Sequence, residues 1–127
     1  LSTFKTYQDI EAWQRAREMT NKIYSLTRQG EFHKDYALID QIRRSCISVM
    51  SNIAEGFERD RTKEFVNFLL YAKGSVGEIS TQLIIAFDQK YIDDNQFKEL
   101  SDLAIEIGRM IGGLIAYLKK EKRQDFR

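Results

Sequence analysis

Not one residue of this 127-residue chain is proline, so no position carries the side chain that removes a backbone donor and breaks a helix. The apolar residues are spaced to use that freedom. In four runs they recur three or four apart, which puts them on one helical face, and no alternating pattern competes for a strand. The first run predicts a helix from Asp9, as N-cap, to about Arg28, with Ile10, Trp13, Ala16, Thr20, Ile23, Tyr24 and Thr27 inward and Gly30 ending it. The second spans about Tyr36 to Phe57, with Leu38, Ile42, Cys46, Val49, Ile53 and Phe57 inward and Gly56 near its C-terminal end. The third starts near Asp60 or Thr62, runs to about Gln89 and carries Phe65, Phe68, Leu69, Ala72, Val76, Ile79, Leu83 and Phe87. The fourth opens where Asp93 and Gln96 stand at capping-box spacing, and carries Phe97, Leu100, Ala104, Ile107, Met110, Ile111, Leu114 and Leu118. Short connections between such helices return each one antiparallel to the last. The expectation is an all-α chain folded as one antiparallel up-down-up-down four-helix bundle, its core spanning about residues 9–120 of 1–127.

Composition narrows the class further. Apolar residues make up 43% and charged residues 31%, the balance of a globular chain rather than a disordered one. No stretch approaches the roughly 18 apolar residues of a membrane span, and no basic-then-apolar leader opens the chain, so a cytoplasmic protein without a membrane partner is expected. The single cysteine, Cys46, cannot form an intramolecular disulfide and sits within an apolar stripe. With 20 basic and 19 acidic residues the net charge is +1, so any case for nucleic acid has to rest on local patches.

Helices two to four carry more than one stripe each. At about 100° per residue, Gln41, Ser45, Ser48, Asn52 and Glu55 fall within roughly 80° of arc beside the apolar face of helix two. Asn67, Tyr71, Gly74, Glu78 and Gln82 form a comparable strip on helix three, with Ser75 at its edge. Pairing Arg44 with Glu55 or Glu78, bridged by Asn52 and Gln82, would satisfy a buried polar network whose members cost on the order of 3 to 5 kcal/mol to delete. Val66, Leu70, Gly77 and Ile84 lie on a side of helix three away from its main core arc, and Gly108, Gly112 and Ala116 form a small-residue strip on helix four. A lone bundle leaves these faces uncovered, so self-association is expected.

Catalytic chemistry finds little purchase. Glu55 and Glu78 are read as ion partners rather than an acid/base pair, since no nucleophile or companion histidine accompanies them. A bundle di-iron centre needs two Glu-x-x-His motifs, and the one histidine, His33, is expected in a loop. Gly74-Ser75-Val76-Gly77 lacks the spacing and strand context of a phosphate loop. No cofactor, metal or small-molecule substrate is therefore expected. The basic residues carry the better lead: Arg59, Arg61 and Lys63 about the turn between helices two and three, Arg43 and Arg44 on helix two, and Lys119, Lys120, Lys122 and Arg123 near the end. Repeated by symmetry, such clusters can cradle a phosphate backbone.

Gln41-Ile42-Arg43-Arg44, Ser48 and Ser51-Asn52-Ile53-Ala54-Glu55-Gly56, followed by Glu64-Phe65, Phe68-Leu69, Ala72, Gly74-Ser75, Glu78 and Thr81-Gln82-Leu83, resemble the four-helix-bundle family encoded in 23S rRNA intervening sequences. Ile10, Trp13, Ala16 and Tyr24 extend the resemblance over nearly the whole chain. It implies a bacterial cytoplasmic bundle that assembles as a homopentamer and has no enzymatic activity. It also implies similarity in fold to the accessory protein of diversity-generating retroelements, which binds nucleic acid and a reverse transcriptase. Members commonly carry proline where this chain has Met50, and another in the first inter-helix loop, so a straighter second helix is expected here. Two functions follow as expectations: a non-catalytic oligomer engaging RNA or a nucleoprotein, or a protein-binding scaffold in which the basic residues serve only solubility.

Overall fold

The computed structural model describes the backbone of residues 4–125 and the side chains of residues 4–121. Four helices fill it: α1 (Glu11–Thr27), α2 (Tyr36–Glu58), α3 (Thr62–Asp88) and α4 (Asp94–Asp125), with short 3-10 helices at Tyr7–Asp9 and Gly30–Lys34 and no strand among the described residues. Adjacent helices run antiparallel, as their contacts show. Along α1 and α4, Arg15 meets Glu106 at 2.7 Å and Lys22 meets Glu99 at 2.7 Å, one helix ascending as the other descends. The same reversal pairs Thr20 with Met50 and Thr27 with Arg43 across α1 and α2, and Ser48 with Ser75 and Ser45 with Gln82 across α2 and α3. Phe87 stacks on Phe97 at 4.6 Å across the α3–α4 connection. Each helix packs on its two neighbours, which closes the all-α four-helix bundle.

The core is the set of inward stripes: Met19 and Ile23 of α1, Ile42, Cys46, Val49 and Ile53 of α2, Leu69, Ala72, Ile79 and Leu83 of α3, and Ala104, Ile107, Ile111 and Leu118 of α4 are all buried. α2 and α3 match their expected spans closely. The Asp93/Gln96 capping box at the start of α4 is reciprocal: the Gln96 N–H donates to Asp93 Oδ1 at 2.7 Å and the Asp93 N–H donates to Gln96 Oε1 at 2.9 Å. α2 continues without interruption through Met50.

Three expectations for the first helix are corrected. Asp9 does not cap α1; its carboxylate accepts from the Lys5 and Thr6 N–H groups and closes a capping box on the preceding 3-10 helix, while Ile10 stands at the α1 N-cap without a side-chain bond. The inward face is also rotated. Ala12 and Met19 are buried, whereas Trp13, Thr20 and Tyr24 sit half-buried at the α2 seam, because α1 packs on α4 as well as α2. Finally, although α1 ends at Thr27, within a residue of the expected bound, no open loop follows: Gly30, at φ +54, opens the 3-10 helix that carries Phe32 into the core. The connection expected to be a loop is thus part of the packed structure.

Candidate nucleic-acid interface

The polar row of α2 joins it to α3 through neutral groups. The Ser48 and Ser75 hydroxyls share a 2.8 Å hydrogen bond, and the Asn52 amide donates to the Ser48 carbonyl at 2.8 Å and to the Ser48 hydroxyl at 3.0 Å. Ser45 donates to the Gln41 carbonyl at 3.0 Å and accepts from the Gln82 amide at 3.2 Å. The expected ionic members stay outside. Arg44 pairs with Asp40 at 2.9 Å, Glu55 pairs with Arg59 at 3.0 Å, Glu78 is exposed, and the Gln41 side chain is exposed as well. The reason is desolvation: Arg44 and Glu55 each find an i,i+4 partner in water, and burial costs a charge several kcal/mol that a single ion pair rarely returns. Each neutral bond that remains contributes about 1 kcal/mol, so the penalty of roughly 3 to 5 kcal/mol expected for an ionic network does not apply.

The faces expected to be uncovered divide in two. Val66 is only 8% exposed and belongs to the core, and Gly108 and Gly112 turn toward α3 of the same chain, where a Cβ would stand 3.8 Å from Val76 and from Lys73 respectively. Val66 is thus part of the core, and the two glycines are half-buried beside the α3–α4 seam. Leu70, 47% exposed, and Ile84, 50% exposed, remain on the outer side of α3 with the exposed Gly74 and Gly77 between them. Tyr71 and Ile85 widen this strip.

Charge is distributed differently from the sequence expectation. At the α2–α3 turn, Arg59 faces Glu55 and, at 3.7 Å, Glu64, while Arg61 lies 3.8 Å from Glu64. That cluster is largely neutralised. Lys63, Lys119 and Lys120 are exposed, and the side chains of Lys122 and Arg123 lie outside the described residues. Four arginines, Arg17, Arg28, Arg43 and Arg109, enter no ion pair among the described residues; Arg109 lies on α4, and the other three lie on the α1–α2 side. Arg43 is held firmly. Its guanidinium lies 4.4 Å from the Tyr24 ring centroid, and its Nε and Nη2 donate to Thr27 Oγ1 at 3.0 and 2.8 Å. The buried Thr27 hydroxyl in turn donates to the Tyr24 carbonyl at 3.0 Å. Arg17 leans toward the Trp13 ring at 6.0 Å, and Arg28 follows α1 directly. Arg17 and Arg28 share a side of α1 about 16 Å apart.

Between α1 and the first half of α2 lies a groove of about 600 Å³, lined by Tyr24, Tyr36, Ile39 and Ile47 with Arg43 and Arg44. Sequence reasoning missed Arg17, Arg28, Tyr24 and Tyr36 as members of this surface. The Trp13–Arg17 spacing is readable, but the placing of Arg43 on Tyr24 depends on the tertiary register of α1 against α2.

The groups considered for catalysis are separated or inert. Burial pushes the Cys46 thiol up to about 12 despite a lowering hydrogen bond from Thr20, so it stays protonated at neutral pH. His33 is exposed on the short helix before α2. Glu55 lies level with Phe65 and Phe68, and Glu78 lies between the levels of Ser48 and Ser45, roughly 10 to 15 Å along the bundle. Among the described residues no group of three or more His, Cys, Asp or Glu side chains is placed to hold a metal, and no helix is long and apolar enough to cross a membrane.

These features define an all-α antiparallel four-helix-bundle protein with an apolar outer strip on α3 and an arginine-lined groove between α1 and α2. The chain belongs to the 23S rRNA-intervening sequence protein family, whose sequence profile matches residues 8–113. A solved structure of a protein of unknown function from the S23 ribosomal protein family of Bacteroides thetaiotaomicron shares the fold: TM-score 0.76 and 22% identity, covering 83% of this chain and 95% of that one. No curated protein matches the chain.

Proposed function

We propose that the protein is a non-catalytic, self-associating bundle of the cytoplasm that binds RNA, or a nucleoprotein through its RNA, on the α1–α2 side. The observation that carries this reading is a concentration of charge: of the four arginines without carboxylate partners among the described residues, Arg17, Arg28 and Arg43 share one side and only Arg109 lies elsewhere, on α4, while Arg59 and Arg61 face Glu55 and Glu64. The family's association with 23S rRNA intervening sequences supports it. Three arginines on three phosphates give a binding constant that falls roughly 20- to 40-fold between 50 and 200 mM salt. Fluorescence anisotropy with a structured RNA fragment at the two salt concentrations is the test; absent binding, or affinity indifferent to salt, removes the reading.

Self-association rests on the outer strip of α3, where Leu70, Gly74, Gly77 and Ile84 offer a narrow surface with little charge. Covered by another copy, in the closed pentamer that the family resemblance implies, it would repeat the arginine side around the ring. The expected mass in solution is a multiple of the chain mass, and Leu70→Asp combined with Ile84→Asp is expected to yield a helical monomer. Light scattering at micromolar concentration decides: a monomeric wild type sinks the assembly. The same strip also favours a second reading, a scaffold docking a different helical protein, which an RNA-inert monomer would leave standing.

A further inference from the structure

We propose that the α1–α2 groove is a subsite for one unpaired nucleotide of a single-stranded RNA, with the base stacked on Tyr36 and the phosphate on the outer edge of Arg43. The inference rests on the RNA-binding reading above and assigns it a specific place and strandedness.

Tyr36 stands in the first turn of α2 with 77% of its surface exposed, and it lines the groove together with the partly buried Ile39 and, farther along the helix, the half-exposed Ile47. Its position supplies a free aromatic face at the wall of a concave surface. Stacking on such a face is the sequence-tolerant way in which proteins hold unstacked bases, and a duplex, whose bases face one another, cannot use it.

Arg43 supplies the complementary charge. Tyr24 and Thr27 occupy one side of its guanidinium, through the ring contact and the bonds from Nε and Nη2, and among the described residues no acceptor engages Nη1. An arginine normally loses side-chain freedom when it grips an anion; here that ordering is already complete in the fold. The carboxylate lining the groove, Asp40, is engaged by Arg44 at 2.9 Å, so Arg43 is left as the groove's uncompensated charge and the surface is complementary to an anion. At about 600 Å³ the space lies within the range of small-ligand sites and admits a nucleotide. Arg28 and Arg17 continue along α1, where neighbouring phosphates of the same strand can follow.

The test compares full-length wild type with Tyr36→Ala, Tyr36→Phe and Arg43→Lys, using fluorescein-labelled single-stranded RNA and a blunt RNA duplex in anisotropy titrations at about 50 mM salt, where phosphate contacts are strong. Tyr36→Ala is expected to weaken single-strand binding about tenfold, to leave duplex binding unchanged, and to melt at the wild-type temperature because the ring is exposed. Tyr36→Phe retains the stacking face and the affinity, while Arg43→Lys, which loses the planar fork, weakens the single strand. Wild-type protein that binds neither RNA overturns the functional reading itself. Protein that binds RNA equally well with Tyr36→Ala and Arg43→Lys overturns the groove alone. A Tyr36→Ala chain that dissociates to monomers in light scattering also overturns it, by making the groove a contact between copies.

Discussion

Phe32→Ala is expected to lower the unfolding free energy by about 3 to 5 kcal/mol, the range for removing a fully buried aromatic ring and leaving a cavity. Phe32 lies in the 3-10 helix between α1 and α2, buried, with its ring stacked on Tyr91 at 5.1 Å. Tyr91 belongs to the α3–α4 connection, so the stack ties the two connections at one end of the bundle together. The Tyr91 hydroxyl then donates to Asp35 Oδ2 at 2.9 Å, and the other carboxylate oxygen of Asp35 accepts from the Leu38 N–H and caps α2. Removing the ring therefore empties a core site and loosens the start of α2 in one step. Denaturant unfolding measures the effect; a loss below about 1 kcal/mol would place this segment outside the cooperative core. The bond to Asp35 holds the Tyr91 phenol above its ordinary value, which favours the protonated form in the folded chain. That contribution is present below about pH 10 and disappears as pH rises through the folded value. Tyr91→Phe should abolish this alkaline decline while keeping the stack.

Phe32 also marks where the sequence becomes hard to read. A helix of more than about twenty residues shows its inward stripe several times over, so α2 and α3 and the capping box of α4 are legible from spacing alone. A five-residue 3-10 helix does not repeat, and Phe32 looks like an isolated aromatic between polar neighbours. The same limit explains the α1 face, since Trp13 and Tyr24 fit the period as well as Ala12 and Met19 do, and only the position of α4 decides between them. Charges follow another rule. Arg44 and Glu55 satisfy themselves within one turn of α2, so a wheel that brings them near a neighbouring helix says nothing about their partners. Ser48, short and neutral, bonds to what the packing places beside it, and Ser45, whose proton goes to its own helix at Gln41, accepts across the seam from Gln82. The arginine side combines both limits, because Arg43 is set by tertiary register, and Arg17 and Arg28 stand out only once the ion pairs of the folded chain are seen to pass them by.

Glycine gives the second large effect, with a sign that depends on position. Gly56 lies two residues from the end of α2, and a Cβ there would stand 2.7 Å from Phe68 Cβ and 3.0 Å from the Phe65 ring. Phe68 Cβ is fixed to the α3 backbone and cannot swing aside, so Gly56→Ala has to push apart α2 and α3, the most extensively packed pair of helices. Overpacking of this kind costs about 1 to 3 kcal/mol and outweighs the helix-propensity gain of about 0.5 to 1 kcal/mol. At Gly74 and Gly77, in the middle of α3, an added methyl group would meet nothing within 4 Å, so Ala at either site should gain the full helix-propensity benefit in an isolated chain. Thermal melts of the three single variants should show Gly56→Ala falling by several degrees. Gly74→Ala and Gly77→Ala should rise when the chain is monomeric, and should fall or lose assembled mass when the α3 strip lies against another copy. A Gly56→Ala chain as stable as wild type would mean that α2 and α3 can separate freely at this point, and the close seam on which the bundle geometry depends would be wrong.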